Sequence, residues 1–102
     1  MAEGQGQRVS FKCKTNDHWP VFVVGNVREL GGWAVEQALP MQRQDTAQNG
    51  QEWTAQVLLQ HGMTVEYKFI KKTDRGVDWE IGENRRYTVI PGDHTISDVF
   101  RD

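Results

Sequence analysis

The chain has 102 residues, 37% hydrophobic and 25% charged, with a net charge of −2. That size and balance fit one globular domain, and with no basic patch to answer a polyanion, nucleic acid and anionic membrane are not expected partners. No apolar run approaches the roughly 20 residues of a membrane span.

Residues 1–7 are polar and glycine-rich and lack the basic and apolar regions of a signal peptide. A flexible tail over residues 1–8 is expected, followed by one domain over 9–102. The missing leader fits an intracellular protein or a fragment excised from a larger one. Val9, Phe11 and Cys13 alternate with Ser10, Lys12 and Lys14, the period of a strand with one wet face. Cys13 is the only cysteine, so no internal disulfide can form, and its place in the strand reads as a small buried hydrophobe. Residues 15–20 have turn chemistry and carry Trp19. Residues 21–24 are a short β-prone run, buried on both faces or nearly so.

Leu30-Gly31-Gly32-Trp33 follows, where two glycines permit a tight bend just before a bulky ring. Residues 38–41 read as a weak strand, with Pro40 favouring an edge. Residues 42–51 read as a polar loop closed by Asn49-Gly50. Trp53, Ala55, Val57 and Leu59 then alternate with polar neighbours. After the turn at His61-Gly62, Val65, Tyr67 and Phe69 point to one side and Glu66, Lys68 and Ile70 to the other. Residues 73–76 reverse the chain. Trp79, flanked by Asp78 and Glu80, is either a strand residue facing the core or an exposed platform. Residues 86–90 and 94–100 close the set, with Pro91-Gly92-Asp93 as the turn between them.

Seven or eight short strands, regular turn signals and no helical periodicity predict an all-β fold. The expected architecture is an open-sided antiparallel β-sandwich or distorted barrel of immunoglobulin-like character. No enzymatic constellation accompanies it. There is no nucleophile elbow, no phosphate-cradling loop and no Cys/His pair at metal spacing. His18, His61 and His94 fall in three separate turns, and Asp78, Glu80 and Glu83 read as solvated acids of a domain too small to enclose a glycosidase cleft. Catalytic residues, metal and cofactors are therefore not expected.

Four tryptophans are many for this length, and Trp19, Trp33 and Trp79 lie in or beside loops, whereas Trp53 sits at an alternating strand position as core tryptophans do. The C–H face of a pyranose can lie on an indole. Removing on the order of 100 Å² of apolar surface at about 25 cal/mol per Å² contributes roughly 2–3 kcal/mol per ring before ordering costs. Two such platforms with a few hydrogen bonds give affinities in the micromolar-to-millimolar range. The alternative is a protein-interaction sandwich whose exposed aromatics form a protein-binding patch.

Val23-Val24-Gly25-Asn26 followed by Glu29-Leu30-Gly31-Gly32-Trp33 resembles the V-G-x-x-x-x-L-G-x-W signature of starch-binding domains, the family-20 carbohydrate-binding modules. Trp53, the run Val65-Glu66-Tyr67-Lys68-Phe69-Ile70-Lys71, Val77-Asp78-Trp79-Glu80 and Asn84-Arg85-Arg86-Tyr87-Thr88-Val89 follow in that family's order, so the likeness covers nearly the whole chain. It implies a non-catalytic module that binds starch, glycogen, maltooligosaccharides and cyclodextrins and anchors an attached amylase, glucanotransferase or glucan phosphatase. It implies a first site of Trp33, Lys68, Trp79, Glu80 and Asn84. It implies a weakened or absent second site at Trp19 and Trp53, since residues 42–51 lack the family's aromatic. A monomer is expected, and Trp79 is taken as platform rather than core.

Overall fold

Alternation sets each strand and the half of it that is buried. The computed structural model describes residues 6–44 and 51–102. Among the described residues nine strands run in chain order, against the seven or eight expected: β1 (Gly6–Thr15), β2 (Val21–Gly25), β3 (Leu39–Pro40), β4 (Gln42–Gln44), β5 (Gln51–Gln60), β6 (Thr64–Thr73), β7 (Gly76–Trp79), β8 (Arg85–Thr88) and β9 (His94–Val99). They form two sheets, one ordered β4-β5-β1-β9 and the other β3-β2-β6-β7 with β8 also on β6. The result is a sandwich, not a closed barrel. Nor is it antiparallel throughout, because β9 lies parallel to β1 while the other pairings are antiparallel. A parallel neighbour has to arrive by a long crossover, which a local strand pattern does not record.

The inner faces carry the alternating residues. Val9, Phe11, Cys13, Val23, Leu59, Val65, Tyr67 and Phe69 fall in one buried cluster. Within it the Tyr67 ring meets Phe11 at 5.0 Å and Phe69 at 5.7 Å, both edge-on, the arrangement aromatic quadrupoles favour. Burial, and next the Glu80 carboxylate, push the Cys13 thiol up to about 12, which leaves it inert at neutral pH.

Three boundaries differ from expectation. β1 starts at Gly6, so residues 6–8 belong to the sheet and not to a tail, while residues 1–5 lie outside the described residues. The predicted loop over 42–51 contributes Gln42–Gln44 to β4 and Gln51 to β5, and its residues 45–50, Asn49-Gly50 included, also lie outside them. Between β2 and β3 the chain forms two 3-10 helical segments, Arg28–Trp33 and Val35–Gln37, where no helix was expected. Each is too short to show a helical period in sequence.

β6 organises the second sheet. One edge pairs with β2, and the other is divided between β8 along its first half and β7 along its second. Between those partners the chain leaves the sheet through residues 80–84 and returns, which places that loop beside the outer face of β6.

Candidate functional site

The outer face of β6 presents Glu66, Lys68, Ile70 and Lys72 in turn, as period two requires. Two segments converge on it. The first leaves β2 at Gly25, where a β-carbon would stand 2.5 Å from the Glu66 carbonyl oxygen, so only glycine lets the chain pass this close. Buried Leu30 pins the segment, and Gly31, at φ 87°, turns it where a β-carbon would meet the Gln37 carbonyl oxygen at 2.6 Å. Trp33 follows at φ 68°, the one non-glycine in the left-handed region among the described residues. Its ring packs over Val24, Ala38 and Ile70 on the outer side of the sheet, so Ile70 is fully buried although it faces away from the main core.

The second segment is β7, which sets Trp79 directly opposite Ile70. Trp79 keeps 38% of its surface exposed, so its ring is not part of the core. The Trp33 and Trp79 centroids stand 6.4 Å apart with the rings tilted by 35°. Two indoles far apart in sequence thus form one broken, slightly folded surface.

Polar groups line one margin of it. The Lys68 ammonium donates to the Gly82 carbonyl at 2.6 Å. Asn84 donates its amide N–H to Glu66 Oε1 at 3.2 Å, which leaves the amide oxygen as the group free to accept. Glu66 also takes a bond from Arg86 at 3.2 Å, and its own backbone N–H donates to Asn26 Oδ1 at 3.0 Å. The Asn84 amide, and then Arg86, hold the Glu66 carboxyl below its ordinary value of 4.5. The sequence reading omitted Glu66, yet its position two residues before Lys68 on one strand already put it on this face.

Glu80 is a correction. It is only 1% exposed, and both of its oxygens are committed. Oε2 accepts from Arg85 Nε at 2.9 Å and from the Phe69 backbone N–H at 3.0 Å, while Oε1 accepts from the second Arg85 nitrogen at 2.9 Å and from the Arg101 N–H at 3.3 Å. The Glu80 N–H itself donates to the Phe69 carbonyl at 3.1 Å. Its carboxylate therefore fills the place in the β6 ladder where β7 has ended and β8 has not begun. A bidentate Arg85 fork neutralises it there. It cannot reach a surface ligand and instead fixes the root of the loop that carries Gly82 and Asn84.

The two residues of the second site, Trp53 and Trp19, stand in different surroundings. Trp53 is 6% exposed in the core, its indole N–H donating to Thr15 Oγ1 at 3.3 Å, and so offers no ring face to a ligand. Trp19 is half-buried on the surface, stacked on His18 at 5.2 Å and beside Thr73, Asp74 and Arg75 at the β6–β7 turn. The two do not make a stacking pair. Among the described residues no group of three or more His, Cys, Asp or Glu side chains is placed to hold a metal ion.

Residues 6–98 match the family described as starch binding domain. Over 69 residues, 68% of this chain, the sequence is 42% identical to glucoamylase-1 of Arthroderma benhamiae, of which the match spans 11%. Over 75 residues, 72% of the chain, it is 39% identical to the cyclomaltodextrin glucanotransferase of Geobacillus stearothermophilus, of which it spans 10%. The chain thus spans about a tenth of the length of these relatives. Among solved structures it resembles the family 20 CBM of the maltotetraose-forming amylase from Pseudomonas saccharophila STB07. That likeness has a TM-score of 0.74 and 26% identity, and covers 91% of this chain and 99% of the other.

Proposed function

The chain belongs to the starch binding domain family, and on that premise we propose that the Trp33–Trp79 face is the surface on which it holds α-1,4-glucan. The family is one of non-catalytic binding modules. The observation that carries the proposal is the indole pair, 6.4 Å apart and tilted by 35°. Successive glucoses of an α-1,4 chain turn relative to one another, and two tilted platforms follow that turn where a flat one would not. Each stacked ring contributes roughly 2–3 kcal/mol of apolar burial. Lys68 donates to hydroxyls at the margin, and Asn84, its N–H held by Glu66, accepts from them.

Glycogen, maltooligosaccharides and cyclodextrins present the same turned α-1,4 geometry and are expected to bind the same face. The module acts as a monomer with one principal site, Trp19 contributing at most the free part of a half-buried ring stacked on His18. In a longer protein it keeps an attached α-glucan-active enzyme on its polymer. Replacing Trp33 and Trp79 together by Ala should abolish retention on granular starch and leave the β-rich circular dichroism unchanged. Full retention by the double variant would overturn the assignment.

A further inference from the structure

We propose that Phe22 and Lys72 form a further glucose subsite adjoining the Trp33–Trp79 face, so that a longer stretch of α-glucan is held than the two indoles cover. The inference rests on the assignment of that face to glucan and extends it.

Register places the pair. Across the second sheet Trp79 stands opposite Ile70, and Ile70 stands opposite Phe22. Directly opposed residues share a face, with β-carbons about 5 Å apart. Phe22 is therefore the next large apolar side chain in the line that Trp79 begins, one strand beyond Ile70. Trp33 and Phe22 pack on the same small buried cluster of Val24, Ala38 and Ile70, so one apolar layer underlies both the indole and the phenyl ring. Phe22 is half-buried, with part of its surface left to the outside.

Lys72 supplies the polar partner. It follows Ile70 by two positions on β6, as Lys68 precedes it by two, so the indoles lie over a strand with an ammonium on either side. Lys68 is engaged with the Gly82 carbonyl. The Lys72 ammonium instead rests 4.2 Å from the centroid of the Phe22 ring, a contact that satisfies charge but uses none of its N–H donors on an oxygen. A glucose arriving beside Phe22 offers hydroxyl oxygens at its rim and C–H groups on its face. The ammonium turns from ring to hydroxyl, and the sugar takes its place against the phenyl edge. This pairing of an aromatic surface with a donor lysine repeats the chemistry of Trp79 with Lys68, on the opposite flank.

Length dependence tests the subsite. Maltose spans only the two indoles, whereas maltoheptaose reaches past them. Both would be titrated by NMR into the unmodified protein, Lys72→Met and Trp79→Ala. Lys72→Met keeps the stem on Phe22 and removes the donor. It should weaken maltoheptaose about threefold to tenfold, the worth of one or so hydrogen bonds, and leave maltose unchanged. In the unmodified protein the Phe22 and Lys72 amide signals should move with maltoheptaose and stay still with maltose. An unchanged affinity for maltoheptaose, or an equal loss for both sugars, would overturn the subsite alone. Undiminished binding of both sugars by Trp79→Ala would overturn the glucan face, and the subsite with it.

Discussion

Glu66 carries no stacking surface, yet three side chains of the site margin depend on it: Asn84, Arg86 and Asn26. Its carboxylate accepts from Asn84 and Arg86 most strongly when ionised, and those bonds hold its folded-state value below 4.5. A group depressed in this way contributes its stabilisation throughout the range above the unfolded value and loses it as pH falls through the folded one. Affinity for β-cyclodextrin should therefore stay level from about pH 7 down to about 4.5 and decline only below that, as Asn84 loses its tether. In Glu66→Gln the acid-side decline should be absent from the same titration. Trp33 illustrates a different economy at this scale. A bulky residue in the left-handed region costs on the order of 1 kcal/mol, and it persists because the packing of its ring over Ile70 and Val24 fixes the alternative out of reach.

Among the elements, the segment between β2 and β3 decides whether the indoles meet. Its course is held by the bonds from Gly32 N–H to the Val27 carbonyl and from Ala34 N–H to the Gly31 carbonyl, both 3.0 Å. Two neighbouring glycines within it differ in kind. Gly31 needs both its positive φ of 87° and the space that a β-carbon would take from the Gln37 carbonyl. Gly32 has φ 56° and nothing within 4 Å of the β-carbon position. Gly32→Ala should therefore cost only the backbone term, about 1 kcal/mol. Gly31→Ala should cost more than about 2 kcal/mol and loosen starch retention as well, because the segment must shift and carry Trp33 with it. Urea unfolding and a starch pull-down on the two variants measure the contrast. The divided edge of β6 is the other decisive element. Without an acceptor such as Glu80 the Phe69 N–H would be buried and unpaired, which is why an acid that resembles a ligand group is spent on the ladder.

At the scale of the molecule, Asp98 ties the two sheets together. It belongs to β9 of the first sheet, and it accepts from Arg85 on β8 and from the Tyr67 hydroxyl on β6, both at 3.1 Å. Burial pushes the Tyr67 hydroxyl well above its ordinary value, so it remains a donor at any working pH. Lys71, with only 3% of its side chain exposed, makes a second tie from β6, to Asp17 at 2.9 Å and Asp102 at 3.3 Å. Asp98→Ala leaves two donors without this acceptor and should destabilise the fold by about 2–3 kcal/mol. A lower melting temperature is expected in calorimetry, while starch retention well below the transition stays intact because Asp98 lies away from the indole face.

The sequence by itself determined most of the strands and their buried faces, and its likeness to the family implied the indole pair. Alternation is local, so Val65, Tyr67 and Phe69 announced a core face, and the spacing around Trp33 and Trp79 carried the family likeness. Two features came only from tertiary structure. The parallel partner of β1 arrives from the far end of the chain. Glu80 became part of the ladder because β6 changes partner beside it. A residue's type and its neighbours state what it can bond to. Which of those partners it meets depends on strands that are distant in sequence, and here that decided which acids and rings lie on the proposed glucan face and which hold the sandwich together.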